Sequence, residues 1–191
     1  MRAAIADIKY MLNYLEDLNQ IYFSGQLNGH LIAIMGHSFG GNVADTLGFE
    51  DERIKAVVDI DSKITERKIY GRIGVPPNPY GKPVLFIRAI MQYQEDVGDQ
   101  LTKINNAQIW SPHVQHSAFR DIAYLAQKKE GFGHEGGISK FWNWLFKRGP
   151  LFDTVDTNLG GQEVDAWFTE YQTKIVMWLD QHFKELDIYW P

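Results

Sequence analysis

The chain has 191 residues, 45% hydrophobic and 23% charged, with a formal net charge of −5 and no cysteine. That length and balance suit a single domain over residues 1–191 with a sizeable core. They argue against nucleic acid as the main partner, since no basic patch stands out, and the missing cysteines exclude disulfides and thiolate metal sites.

Taken in order, Ile5, Ile8, Met11, Leu12, Leu15 and Leu18 recur at helical spacing, which predicts an amphipathic helix over 2–18. Charges interrupt the first nine residues, so no signal peptide is expected there, and no run reaches the ~20 apolar residues of a membrane span. Asn28-Gly29-His30 reads as a loop before a strand over 31–36, followed by a helix over 40–49. Strands are expected at 54–60, 84–89 and 107–110. Between the first two of these, residues 63–82 carry many Gly and Pro and read as a long functional loop. Helices are expected at 99–105, 118–128, 138–148 and 163–186. Strands alternating with helices predict a parallel α/β sheet.

The hexapeptide Gly36-His37-Ser38-Phe39-Gly40-Gly41 sits where the first strand gives way to a helix. A G-x-S-x-G motif between strand and helix signals a nucleophile elbow, whose tight turn exposes the serine hydroxyl and favours Gly at the positions two before and two after. Ser38 is therefore the candidate nucleophile, with Gly36 and Gly40 expected to be held free of side chains. The backbone N–H of Phe39, at the helix N-terminus, is the expected oxyanion donor.

A serine hydroxyl needs a base, and the base an orienting acid. Of six histidines, His30 precedes the nucleophile strand, His37 is too close to Ser38, His134 lies in a Gly-rich stretch and His182 sits among charges on the last helix. That leaves His113 and His116, which follow the last strand. For the acid, Asp59 and Asp61 lie at the end of the strand 54–60, and residues two apart on a strand point the same way, so alternation does not separate them. Asp61 is nearer the C-terminal end, and Asp96 is a third choice.

The elbow, the strand end Asp59-Ile60-Asp61-Ser62 and the run His116-Ser117-Ala118-Phe119-Arg120-Asp121 together resemble the platelet-activating factor acetylhydrolase family of serine esterases within the α/β-hydrolase superfamily. That family shows G-H-S-F-G-G at its elbow and an H-x-x-F-x-D pattern opening on the catalytic histidine. The resemblance implies Ser38 as nucleophile, Asp61 as acid and His116 as base, with a small-molecule or lipid ester as substrate. Neither metal nor organic cofactor is expected from the residues, since no pair of histidines has ligand spacing with a convincing third group. Read from the residues themselves, Ser117 suits a cap for a helix beginning at Ala118, and Phe119 suits an anchor for the loop carrying His116.

A complete α/β-hydrolase has roughly eight strands, and about four are legible here, so the expected fold is the C-terminal half of such a sheet with flanking helices. The strand preceding Ser38 would then present an apolar edge open to self-association. The alternative expectation is a non-catalytic remnant that needs an N-terminal half or a partner chain. Ile138, Phe141, Trp142, Leu145 and Phe146 share one helical face with Lys147 and Arg148 following, which suits either weak contact with a membrane surface or ordinary core packing.

Overall fold

The computed structural model describes residues 1–62, 81–89, 107–119 and 163–184. The expected helices over 99–105 and 138–148, most of the loop over 63–82, the aromatic stripe, Asp96 and His134 lie outside these residues. Among the described residues the core element is a four-stranded sheet: β1 (Ile32–His37), β2 (Ile54–Ile60), β3 (Val84–Ile87) and β4 (Ala107–Trp110). The strands run in the order β1-β2-β3-β4, and every neighbouring pair is parallel. This is an α/β arrangement with helices on both faces.

A parallel sheet covered on both faces favours strands that are mostly apolar, and β2 fits, with Lys55 half-buried and the buried Asp59 paired to Arg88. Its alternate residues Ala56, Val58 and Ile60 enter one core and Ile54 and Val57 the other. Each such burial is worth about 1.5–3 kcal/mol relative to exposure for a Val- or Ile-sized side chain. On one face lie α1 (Arg2–Asn13), through Ala4, Ile5, Ile8 and Leu12, and α3 (Phe39–Glu50), through Val43, Ala44 and Leu47. On the other lies α4 (Val164–Lys184), through Val164, Trp167, Ile175 and Trp178. No helix among the described residues is long and apolar enough to cross a membrane.

The predicted single helix over 2–18 is instead two. Tyr14, at φ −102° and ψ 6°, interrupts it, and α2 (Leu15–Phe23) follows at once. The apolar period runs across the break without a skip, so periodicity could not reveal it. Tertiary bonds hold the junction: Arg53 donates from Nη1 to Asn13 Oδ1 at 2.8 Å. Beyond the break, buried Asn19 donates to Leu27 O and accepts from Leu27 N, both at 2.9 Å, and so closes the loop that follows α2.

The end of α3 is tied to the start of β3. Lys82 Nζ donates to Gly48 O at 2.7 Å and Asp51 O at 2.8 Å, a cation placed on the carbonyls of a helix C-terminus. Burial lowers the pKa of that lysine despite the neighbouring acids.

Candidate active site

The chain leaves β1 and turns into α3 at Ser38. Its N–H still donates to Ile60 O of β2 at 2.8 Å, so the sheet ladder continues into the turn. Its backbone sits at φ 56° and ψ −115°, a region costly for any residue with a Cβ. The turn is that tight because Gly36 has no side chain: a Cβ there would lie 2.2 Å from Gly40 C and O. The expectation for Gly40 needs correction, because a Cβ at Gly40 would meet nothing within 4 Å. The second sterically required glycine is Gly41, whose Cβ would lie 2.6 Å from Asp59 Oδ1 and 2.8 Å from Ser62 Cβ. Sequence spacing identified the motif position, whereas the close approach comes from a strand end 18 or more residues away.

Ser38 Oγ lies 3.0 Å from His116 Nε2. The other ring nitrogen of His116, Nδ1, is hydrogen-bonded to Asp61 Oδ2. An ionised carboxylate can only accept, so Nδ1 carries the proton and Nε2 is left to accept from the serine hydroxyl. The three residues that the sequence nominated from three separate segments therefore form one hydrogen-bonded chain, Ser38–His116–Asp61. His113 is exposed and stands outside it.

Asp61 is buried, and its other oxygen Oδ1 accepts from Ala89 N at 2.8 Å while its own N–H donates to Ile87 O at 2.7 Å. It has left β2 and sits at φ 47°, in the left-handed region. The departure separates it from Asp59, which alternation alone could not. Asp59 stays on the α3 face of the sheet, fully buried, with both oxygens taken by Arg88 and Ser62.

His116 opens a 3-10 turn, His116–Phe119, and residues 120–128 of the helix expected over 118–128 lie outside the described residues. Phe119 anchors the turn. It is buried, with ring centroids 5.6 Å from both Trp167 and Tyr171 of α4 and 5.8 Å from His37. Trp167 donates from Nε1 to Ala118 O at 3.0 Å, latching the same turn to α4. Burial in this ring cluster pushes the Tyr171 hydroxyl up to about 12, so it stays neutral at physiological pH.

His37 plays a part the sequence did not suggest. Its Nε2–H donates to His116 O at 3.1 Å, and the two imidazole rings lie 4.5 Å apart. His182, on α4, bonds Trp178 O at 2.8 Å within its own helix, and His30 is exposed. Arg88 was missed as well; its signal was an arginine directly after the apolar run Val84–Ile87, where a buried partner is required.

The Phe39 N–H lies in the first turn of α3, where a helix leaves its N–H groups without intrahelical acceptors. Among the described residues no group of three His, Asp or Glu side chains could hold a metal ion. The chain matches no model of a known protein family and no curated protein sequence.

Proposed function

We propose that the chain is a serine esterase of the α/β-hydrolase type, acting on short acyl esters of carboxylic acids, with phospholipid esters as the substrate class that the motif resemblance adds. The observation that carries this reading is the hydrogen-bonded chain from Ser38 Oγ through His116 to Asp61, with the serine on a strained strand-to-helix turn. The order of the segments, Ser then Asp then His, and the four parallel strands in the order β1-β2-β3-β4 support it.

In this reading Ser38 Oγ attacks the ester carbonyl as His116 Nε2 takes its proton. Asp61 holds the imidazole in the Nδ1–H tautomer and stabilises the imidazolium that forms. Phe39 N–H donates to the oxyanion, with the α3 N-terminus behind it. Collapse expels the alcohol, which takes the proton back from His116, and leaves Ser38 acylated. Water, deprotonated by the same histidine, then releases the acid and restores the serine.

Labelling with a fluorophosphonate probe, together with p-nitrophenyl acetate hydrolysis, tests the proposal. Wild type should be labelled at Ser38. Ser38→Ala should lose labelling and turnover, and His116→Ala should lose turnover at least ~10³-fold, with His113→Ala affected far less. Absence of labelling in folded wild-type protein would favour the non-catalytic alternative.

A further inference from the structure

The residues on either side of Asp61 are held by a buried ion pair that the triad chemistry does not use. Arg88 follows β3, and its side chain is 5% exposed; its partner Asp59 is 0% exposed. The guanidinium meets the carboxylate as a fork, Nη2 to Oδ2 at 2.8 Å and Nη1 to Oδ1 at 3.2 Å. Nη1 also donates to Ser62 O at 3.1 Å. Ser62 completes the ring by donating from its N–H to Asp59 Oδ1 at 3.1 Å and from Oγ to Asp59 Oδ2 at 2.6 Å.

Each carboxylate oxygen of Asp59 thus accepts two bonds, and Ser62 is gripped through its N–H, carbonyl and hydroxyl. Asp61 lies between these two fixed points, in a conformation that costs an ordinary residue energy. Ala89, the next residue after Arg88, supplies the N–H that fixes Asp61 Oδ1. The ring also touches the elbow, since the missing Cβ of Gly41 leaves the space that Asp59 Oδ1 and Ser62 Cβ approach. A buried ion pair is a poor device for stability, because a well-packed apolar substitute usually does as well. What such a pair does supply is direction, and the planar fork of arginine supplies more of it than lysine.

We infer that Asp59, Ser62 and Arg88 are positioning residues, forming a buried brace that holds Asp61 in its left-handed turn and aims Oδ2 at His116 Nδ1. The effect on turnover rests on the esterase reading; the effect on the Asp61–His116 hydrogen bond does not.

The test reads that bond directly, through the far-downfield proton resonance of the His116 Nδ1–H. Wild type should show it, and Asp61→Asn should abolish it, which assigns it. In Arg88→Lys, which keeps the charge and loses the fork, the resonance should broaden or vanish while circular dichroism and cooperative melting persist. Ser62→Ala leaves the Arg88–Asp59 pair intact and should weaken the resonance, which keeps the test decisive if Arg88→Lys fails to fold. Where turnover is measurable, both variants should lose kcat by about tenfold to a hundredfold, with KM little changed, as groups that orient a reacting side chain do. A wild-type chain without the resonance, or an unchanged resonance in the folded variants, overturns the brace. A resonance that behaves as expected in a chain whose Ser38 resists the fluorophosphonate leaves the brace standing and removes the esterase reading instead.

Discussion

Two members of the proposed triad, Ser38 at φ 56° and Asp61 at φ 47°, occupy backbone conformations that disfavour a side chain. Such strain costs on the order of 1–3 kcal/mol per residue and must be balanced by the surrounding packing. Ser38→Ala keeps the Cβ and therefore the strain, whereas Ser38→Gly removes both. Ser38→Gly is accordingly expected to be more stable than Ser38→Ala by about 1 kcal/mol, even though glycine gains more entropy on unfolding. Denaturant melts of the two inactive variants check this, and equal midpoints would mean the turn is unstrained. At this scale much was legible in the sequence. Ser38 was reachable from the elbow motif, and chain order narrowed the base to His113 and His116, because an elbow and a loop after the last strand are local features; only the H-x-x-F-x-D resemblance chose between the two. Asp61 was favoured over Asp59 by its place nearer the strand end and by the motif resemblance, but alternation left both open, because its left-handed backbone is something no alternation rule anticipates.

Among the elements, the junction of β1 and α3 shows how steric demands cross from one segment to another. Gly36 and Gly41 face backbone and side-chain atoms within 3 Å, and Gly40 faces open space. Gly40→Ala should therefore be neutral or stabilising by up to about 1 kcal/mol, since alanine is the better helix former and Gly40 lies in the first turn of α3. Gly41→Ala should destabilise by about 1–3 kcal/mol through overpacking against Asp59 and Ser62. A reversed ranking in thermal melts would show that the glycine pair had been misread. The C-terminal end of α3 offers a second check. Asp51 is held down to about 2, from an ordinary 3.8, chiefly by its side-chain hydrogen bond with Arg53. A carboxylate whose folded pKa is depressed contributes stability that is fully present above its unfolded value and is lost as pH falls. Asp51→Asn should thus flatten the stability–pH curve between about 4 and 2 and leave its slope near neutrality unchanged. An unaltered acid limb would mean that the Asp51–Arg53 pair does not stabilise the fold.

For the molecule as a whole, the all-parallel sheet leaves β1 with a strand neighbour on one side only among the described residues. Met35 on that strand is 57% exposed, and Ile21 and Tyr22 of α2 are exposed too. An apolar edge strand is a template for pairing with further chains. The purified chain is expected to self-associate in light scattering, and Met35→Lys should shift it towards monomer. A monodisperse wild type would show that the edge is protected. The sheet's class and strand positions could be read from apolar runs and turn residues, because burial on both faces leaves a plain signature in β2 and β3. The split between α1 and α2 could not, since Tyr14 interrupts the backbone without interrupting the pattern.

The contacts that join the proposed site have a kinetic consequence. Ser38 and His116 are 78 residues apart in sequence, Asp61 and His116 are 55 apart, and the Trp167 bond that latches the 3-10 turn spans 49. Contacts so far apart in sequence tend to form after nearer ones, because the entropy of closing the intervening chain must be lost before the contact rewards it. The elbow and the β1–β2 pair are local enough to form early, yet Ser38 gains its base only once β4 and α4 have docked. During refolding, native-like helix and sheet should therefore return before the serine becomes reactive, so chemical competence marks the last stage of folding rather than its bulk.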